Sequence, residues 1–144
     1  MKKNQLVLPV LKWAGGKRQL LQEIIKHIPD KYSTYYEPFL GGGAVLFELQ
    51  PSKAVVNDIN EELMNVYLVI RDHVEELIES LRKHKNEAEY FYKIRELDRD
   101  KNRYNQLSNV EKASRIIYLN KTCYNGLFRV NSQGQFNVPF GSYK

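Results

Sequence analysis

Thr34-Tyr35-Tyr36-Glu37-Pro38-Phe39-Leu40-Gly41-Gly42-Gly43-Ala44-Val45-Leu46-Phe47-Glu48-Leu49 is the stretch on which the fold turns. Its first residues are rich in Thr and aromatics, types that suit a pleated strand. Its last six carry the apolar pattern of a helix, which Pro51 ends. The three glycines between them allow positive φ and a close backbone approach. Ala54-Val55-Val56 follows as a short apolar run closing on Asn57-Asp58, so a βαβ unit is predicted over residues 34–58.

Upstream of that unit, Gly15-Gly16 precedes Leu20, Leu21, Ile24, Ile25 and Ile28, and the spacing predicts a helix over 16–28 that Pro29-Asp30 stops. Downstream, Leu63, Val66, Tyr67 and Ile70 resume a helical period. Asp72 with Glu75 has the form of a capping box for a helix carrying Val74, Leu77, Ile78 and Leu81. Tyr90, Phe91, Ile94 and Leu97 mark another helix, and the polar run between Asp98 and Leu107 reads as a loop. Ser108 and Glu111 form a second capping box, opening a helix with Val110, Ala113, Ile116, Ile117 and Leu119. After Asn125-Gly126, the segments Leu127–Asn131 and Gln135–Pro139 flank Ser132-Gln133-Gly134 and are predicted to form a β-hairpin. A doubly wound sheet needs about five or more strands, and only two precede the helical segment, so the sheet is expected to be partial.

Composition bounds the function. With 42% hydrophobic and 27% charged residues the chain has the profile of a globular domain, and no apolar run approaches the ~20 residues of a membrane span. One cysteine, Cys123, excludes an internal disulfide, and with His27, His73 and His84 it makes no Cys/His zinc set, so a reducing, cytoplasmic setting without a metal is expected. The net charge of +5 is unevenly placed: residues 101–144 hold seven basic side chains and one acid, Glu111. Beyond it Lys112, Arg115, Lys121, Arg129 and Lys144 interleave with Tyr118, Tyr124, Phe128, Phe136, Phe140 and Tyr143. Such a stretch suits a polyanion whose bases can be stacked on. Composition alone favours the plainer alternative, a basic surface with its aromatics in the core.

The glycine turn narrows the ligand. Asp58 stands 17 residues past Gly41 at the end of the second strand, where a carboxylate can accept hydrogen bonds from ribose hydroxyls, and the helix N-terminus beside the turn offers N–H donors. This combination points to an adenosine-containing cofactor. Leu46 stands where a dinucleotide fingerprint requires glycine, which disfavours a nicotinamide or flavin oxidoreductase. Gly15-Gly16-Lys17 is no Walker loop, because Leu11 replaces its first glycine and Arg18 its Ser/Thr.

Four motifs now stand in one order: Leu11-Lys12-Trp13-Ala14-Gly15-Gly16-Lys17; Glu37-Pro38-Phe39-Leu40-Gly41-Gly42-Gly43; Asn57-Asp58-Ile59-Asn60; and Asn125-Gly126-Leu127-Phe128-Arg129-Val130-Asn131 followed by Phe136-Asn137-Val138-Pro139-Phe140-Gly141. Together they resemble the Dam/DpnM-type (class alpha) DNA adenine-N6 methyltransferases, across essentially the whole chain. The resemblance implies an α/β fold, with a partial Rossmann-like S-adenosylmethionine-dependent methyltransferase sheet and a mostly helical target-recognition segment bearing a β-hairpin. Residues 1–61 would be the N-terminal part of the cofactor-binding domain and residues 62–144 the target-recognition domain. Trp13, Lys17, Phe39, Gly41, Gly43 and Asp58 would bind S-adenosyl-L-methionine. Lys12, Tyr124, Asn125, Leu127 and Arg129 would contact double-stranded DNA, with GATC as the implied target. The chemistry suits those roles: Arg129 can donate a bidentate pair to guanine, and Leu127 can meet a thymine methyl. Ser142 departs from the family, whose members often carry an Arg there.

The larger departure is an absence. Family members hold the adenine amino group with a D-P-P-Y motif, and none of Pro9, Pro29, Pro38, Pro51 or Pro139 follows an Asp or Asn. No catalytic residue of that motif is present, so the sequence reads as the N-terminal part of a methyltransferase, with a catalytic half absent or supplied by a second polypeptide. The alternative is a catalytically silent fragment that binds DNA and cofactor.

Overall fold

The computed structural model describes residues 3–141, so Ser142, Tyr143 and Lys144 lie outside the described residues. The chain divides into two compact units, Met1–Ile59 and Asn60–Lys144.

In the first unit a 3₁₀ turn, Lys17–Leu20, leads into helix α1, Leu21–Lys26. The single helix predicted over 16–28 is thus shorter at both ends, because Gly16 is extended (φ −60°, ψ 142°) and the first turn winds tightly. Strand β1, Tyr35–Glu37, helix α2, Ala44–Leu49, and strand β2, Ala54–Val56, form the predicted crossover. The strands pair in parallel with Tyr36 opposite Val55 and Glu37 opposite Val56. Asn57 N–H donates to the Glu37 carbonyl at 2.9 Å, and Leu40 N–H to the Asn57 carbonyl at 2.9 Å, extending the ladder into the glycine turn. Helix α2 ends because Gln50 takes a left-handed conformation ahead of Pro51, and its side-chain amide holds the Asn4 backbone. Leu11, Leu40 and Val45 are buried, whereas Tyr36, Phe39, Val55 and Ile59 are exposed.

The second unit is helical. Its elements are α3, Glu61–Asp72; α4, Val74–Arg82; α5, Ala88–Arg95; a 3₁₀ turn, Glu96–Arg99; α6, Lys101–Asn105; and α7, Asn109–Thr122. Helix α7 lies at the centre, packed against α3, α4 and α5, and every residue from Ala113 to Asn120 is buried. Its start is the predicted capping box: Glu111 N–H donates to Ser108 Oγ and Ser108 N–H to Glu111 Oε2 at 2.8 Å, a device that contributes about 1 kcal/mol. Phe91, Tyr118, Leu119, Cys123, Phe136 and Val138 form one core cluster, in which each large apolar side chain contributes about 1.5–3 kcal/mol by burial.

Three expectations change here. Asp72 does not cap α4: its carboxylate takes two hydrogen bonds from Arg71, both at 2.7 Å, and His73 occupies the N-cap position without a side-chain bond. The polar run 98–107 is not a loop, because Asp100 accepts from Arg103 N–H and caps α6. The segment after α7 doubles back as expected, but the legs meet through single antiparallel bridges, Val130 with Phe136 and Cys123 with Phe140, and not through a continuous ladder. Side chains take over part of the strand pairing, as described below. No helix among the described residues is long and apolar enough to cross a membrane.

Between α4 and α5, His84 fills a slot in this core. One ring nitrogen lies 3.0 Å from Tyr90 Oη and the other 3.0 Å from Ser114 Oγ, and the ring stacks on Tyr118 with centroids 4.4 Å apart. Burial pushes the imidazole below its ordinary value of about 6.5. In the window between the folded and unfolded values the unfolded chain therefore binds more protons, and stability is lost as pH falls. Urea midpoints measured from pH 8 to pH 5 should fall below about pH 6.5, and His84→Gln should flatten that slope.

Candidate functional site

Two sets of side chains gather, one in each unit. In the first, the glycine turn is held on both flanks. Gly41 and Gly43 have φ of +54° and +73°, a region that glycine enters without the steric cost a Cβ brings. Gly42 lies so close to the preceding motif that a Cβ would sit 3.2 Å from the Leu11 carbonyl oxygen and 3.3 Å from Trp13 Cβ. Trp13 thus packs directly on the turn, and Gly16 N–H closes its own turn on the Trp13 carbonyl at 3.2 Å. On the other flank, Gly41 N–H donates to Asp58 Oδ2 at 2.8 Å, fixing the strand-end carboxylate beside the turn.

Lys17 completes the group. Its ammonium donates to Glu37 Oε1 at 2.9 Å and also to the Phe39 carbonyl. Glu37 is 5% exposed, and its second oxygen, Oε2, is buried without a hydrogen-bond partner. A buried carboxylate with one oxygen unsatisfied is costly, and such a group calls for an explanation. Burial, reinforced by Glu37, pushes the Tyr35 phenol well above its ordinary value. Trp13, Lys17, Phe39, Gly41 and Asp58 are therefore brought together at one turn, and Gly43 begins the helix that leaves it. Lys12 is exposed in the same unit. Glu37 is the residue that sequence reasoning passed over. Its signal was present, since Tyr35 and Glu37 alternate onto one face of β1 and a carboxylate on an inward face needs a partner.

In the second unit, Tyr124, Asn125 and Gly126 form a 3₁₀ turn after α7, with Asn125 and Gly126 at φ +56° and +62°. Asn120 Nδ2, inside the helix core, donates to the Gly126 carbonyl at 3.0 Å and anchors this turn. Tyr124 is 59% exposed, Leu127 is half-buried and Arg129 is exposed. The tip is tied by Asn131, whose Oδ1 accepts from Gln133 N–H and Gln135 N–H at 2.9 and 3.0 Å.

The basic, acid-free stretch looks different once folded. Arg115 is buried, not presented to a polyanion, and its guanidinium donates to the carbonyls of Ile94 and Arg95 and pairs with Asp98 at 2.8 Å. Asp98 thus restores an acid to a segment that lacks one in sequence, and its Oδ2 also accepts from Phe136 N–H at 2.8 Å. Lys112 stands over the Tyr104 ring. Tyr118 and Phe136 belong to the core and Phe128 and Phe140 pack on it, so among the aromatics of that stretch within the described residues Tyr124 alone is offered to solvent. The plainer reading holds for the rest.

This chain belongs to the D12 class N6 adenine-specific DNA methyltransferase family, whose family model matches residues 13–144. It is 51% identical to Type II methyltransferase M1.LlaDCHI of Lactococcus lactis subsp. cremoris, over 100% of this chain and 51% of that protein. Identity is 45% with Type II methyltransferase M.MjaIII of Methanocaldococcus jannaschii, over 96% of this chain and 53% of the relative. With the DNA adenine methylase of Escherichia coli it is 38%, over 100% and 50%. The chain therefore spans about half the length of the curated relatives it matches.

Trp13 is the single tryptophan, so its fluorescence reports the glycine turn directly. Gly42→Ala should shift that emission and lower the unfolding midpoint, because the new Cβ meets backbone on one side. An unchanged spectrum would contradict the packing of Trp13 on the turn.

Proposed function

We propose that these residues are the cofactor-binding and target-reading portion of an enzyme that moves a methyl group from S-adenosyl-L-methionine to N6 of adenine in double-stranded DNA, at GATC. The observation that carries this reading is the glycine turn with Asp58 hydrogen-bonded to one flank and the Lys17–Glu37 pair on the other. The chemistry of these donors and acceptors fits the cofactor. A carboxylate has about four acceptor positions, so Asp58 can serve Gly41 N–H and ribose hydroxyls together. A zwitterionic amino-acid end needs a cation for its carboxylate and an anion for its ammonium, and Lys17 beside the half-satisfied Glu37 offers both. Trp13 offers an aromatic face beside a sulfonium. When bound, the cofactor supplies an electrophilic methyl group. Gly43 and Phe39 complete the turn in this reading, which extends the Rossmann-like α/β description to the two-stranded sheet.

On the DNA side, Tyr124 and Asn125 stand at the exposed turn where a wedge into the base stack is expected, Leu127 meets a thymine methyl and Arg129 reads a guanine. Lys12 contacts the target site in the same reading. Relatives named DNA adenine methylase and Type II methyltransferase support adenine as the acceptor and a role in restriction-modification. The reaction then takes place in the cytoplasm. Because D-P-P-Y does not occur in these 144 residues, the groups that hold the flipped adenine come from elsewhere in the enzyme, within the same polypeptide or from a second one. The second reading is a segment that binds cofactor and DNA without performing transfer, and a transfer assay separates the two.

Binding tests the proposal apart from catalysis. S-Adenosylmethionine should quench or shift Trp13 emission, and Asp58→Ala should weaken that affinity by roughly ten-fold, about 1.4 kcal/mol. No binding by the unmodified chain would overturn the cofactor assignment. Labelled methyl transfer to a GATC duplex, absent on the same duplex pre-methylated at adenine, separates the enzyme from the silent binder. Arg129→Ala should cost about 1–3 kcal/mol of binding and relax guanine selectivity, read by competition gel shift; unchanged selectivity would remove Arg129 from its role.

A further inference from the structure

The guanidinium of Arg129 is exposed, and an exposed arginine on a loop samples many rotamers. Here it is held. Arg129 Nε donates to Asn137 Oδ1 at 2.8 Å across the two legs of the loop, while Asn137 N–H donates to the Arg129 carbonyl at 3.1 Å. Asn137 therefore grips residue 129 at both its backbone and its side chain. With Nε engaged, the two terminal nitrogens keep their donors in a planar fork, the part that matches the O6 and N7 acceptors of a guanine edge.

The grip is itself anchored. Asn137 follows Phe136, whose ring is buried in the core and whose two backbone polar groups are taken by neighbouring side chains on the helical segment. Phe136 N–H donates to Asp98 Oδ2 at 2.8 Å, and Arg99 Nη2 donates to the Phe136 carbonyl at 2.7 Å. Asp98 is in turn paired with the buried Arg115 at 2.8 Å. A continuous chain of contacts thus runs from Arg115 of α7 through Asp98 and Phe136 to Asn137 and the Arg129 fork.

We propose that Asn137 is a positioning residue for base recognition, which presets the Arg129 guanidinium for a guanine edge and so sets discrimination more than affinity. This rests on the reading of Arg129 as the guanine reader. An arginine already held at Nε forfeits less rotamer freedom on binding, and it is turned away from the alternative geometries through which a loose guanidinium would accept other bases or a phosphate.

The test is competition binding of the chain to a GATC duplex and to the same duplex carrying 7-deazaguanine, which removes the N7 acceptor, with the ratio of the two affinities as readout. For the unmodified chain the ratio should be ten-fold or more, and for Arg129→Ala about one. Asn137→Ala should bring it to within about three-fold of one while binding to non-specific duplex and the unfolding midpoint stay as they were. Asn137→Asp, which keeps the acceptor, should restore the ratio, and Asn137→Leu should not. Retention of the full ratio by Asn137→Ala and Asn137→Leu, with its loss in Arg129→Ala, would overturn the role of Asn137 alone. A ratio indifferent to Arg129→Ala would overturn the underlying assignment of Arg129, and the inference with it.

Discussion

The carboxylate of Asp98 holds the second unit together in a way no apolar contact there could. It neutralises Arg115, which α7 buries to 3% exposure, and it receives the backbone N–H of Phe136 from a segment 38 residues away. Burying a charge is tolerable only when it is paired and hydrogen-bonded, and removing one partner of such a pair typically costs about 3–5 kcal/mol. The arrangement explains why the legs after α7 need only single bridges between them. Their register is imposed by side chains of the helical segment, where an ordinary hairpin would rely on a ladder.

The glycine turn of the first unit works by the opposite means, close approach of backbone without side chains. Positive φ at Gly41 and Gly43 and the narrow space over Gly42 bring Trp13 on one side and Asp58 on the other against the same few atoms. Three stretches far apart in sequence, around residues 13, 41 and 58, thereby become one surface. Glu37, buried beside Lys17 and the Tyr35 phenol, keeps one carboxylate oxygen without a geometric hydrogen-bond partner, and a buried group of that kind calls for an explanation.

Much of this was legible before the structure. The crossover over 34–58 followed from the order of strand, glycine and apolar run, and the start of α7 from Ser108 and Glu111, because both signals are local and each has its own chemistry. What failed to show was settled by bonds of neighbouring side chains in two places and by tertiary contact in the others. Asp72 resembles a cap, yet the adjacent Arg71 takes its carboxylate, and Asp100 caps a helix in a run too polar to look helical. Arg115 counts as surface charge in any composition, and only the placement of Asp98 and the α5 carbonyls reveals that it is structural. Tyr124 and Tyr118 cannot be told apart as residue types, though one faces solvent and the other fills the core.

One measurement bears on both units at once: amide chemical-shift mapping of the isotopically labelled chain, titrated first with S-adenosylmethionine and then with a GATC duplex. The cofactor should move the amides of Gly41, Gly42 and Gly43 and the Trp13 indole, and the duplex should move those from Tyr124 to Arg129. Shifts confined to other segments, or none at saturating cofactor, would contradict the assignment of the glycine turn as the cofactor cradle.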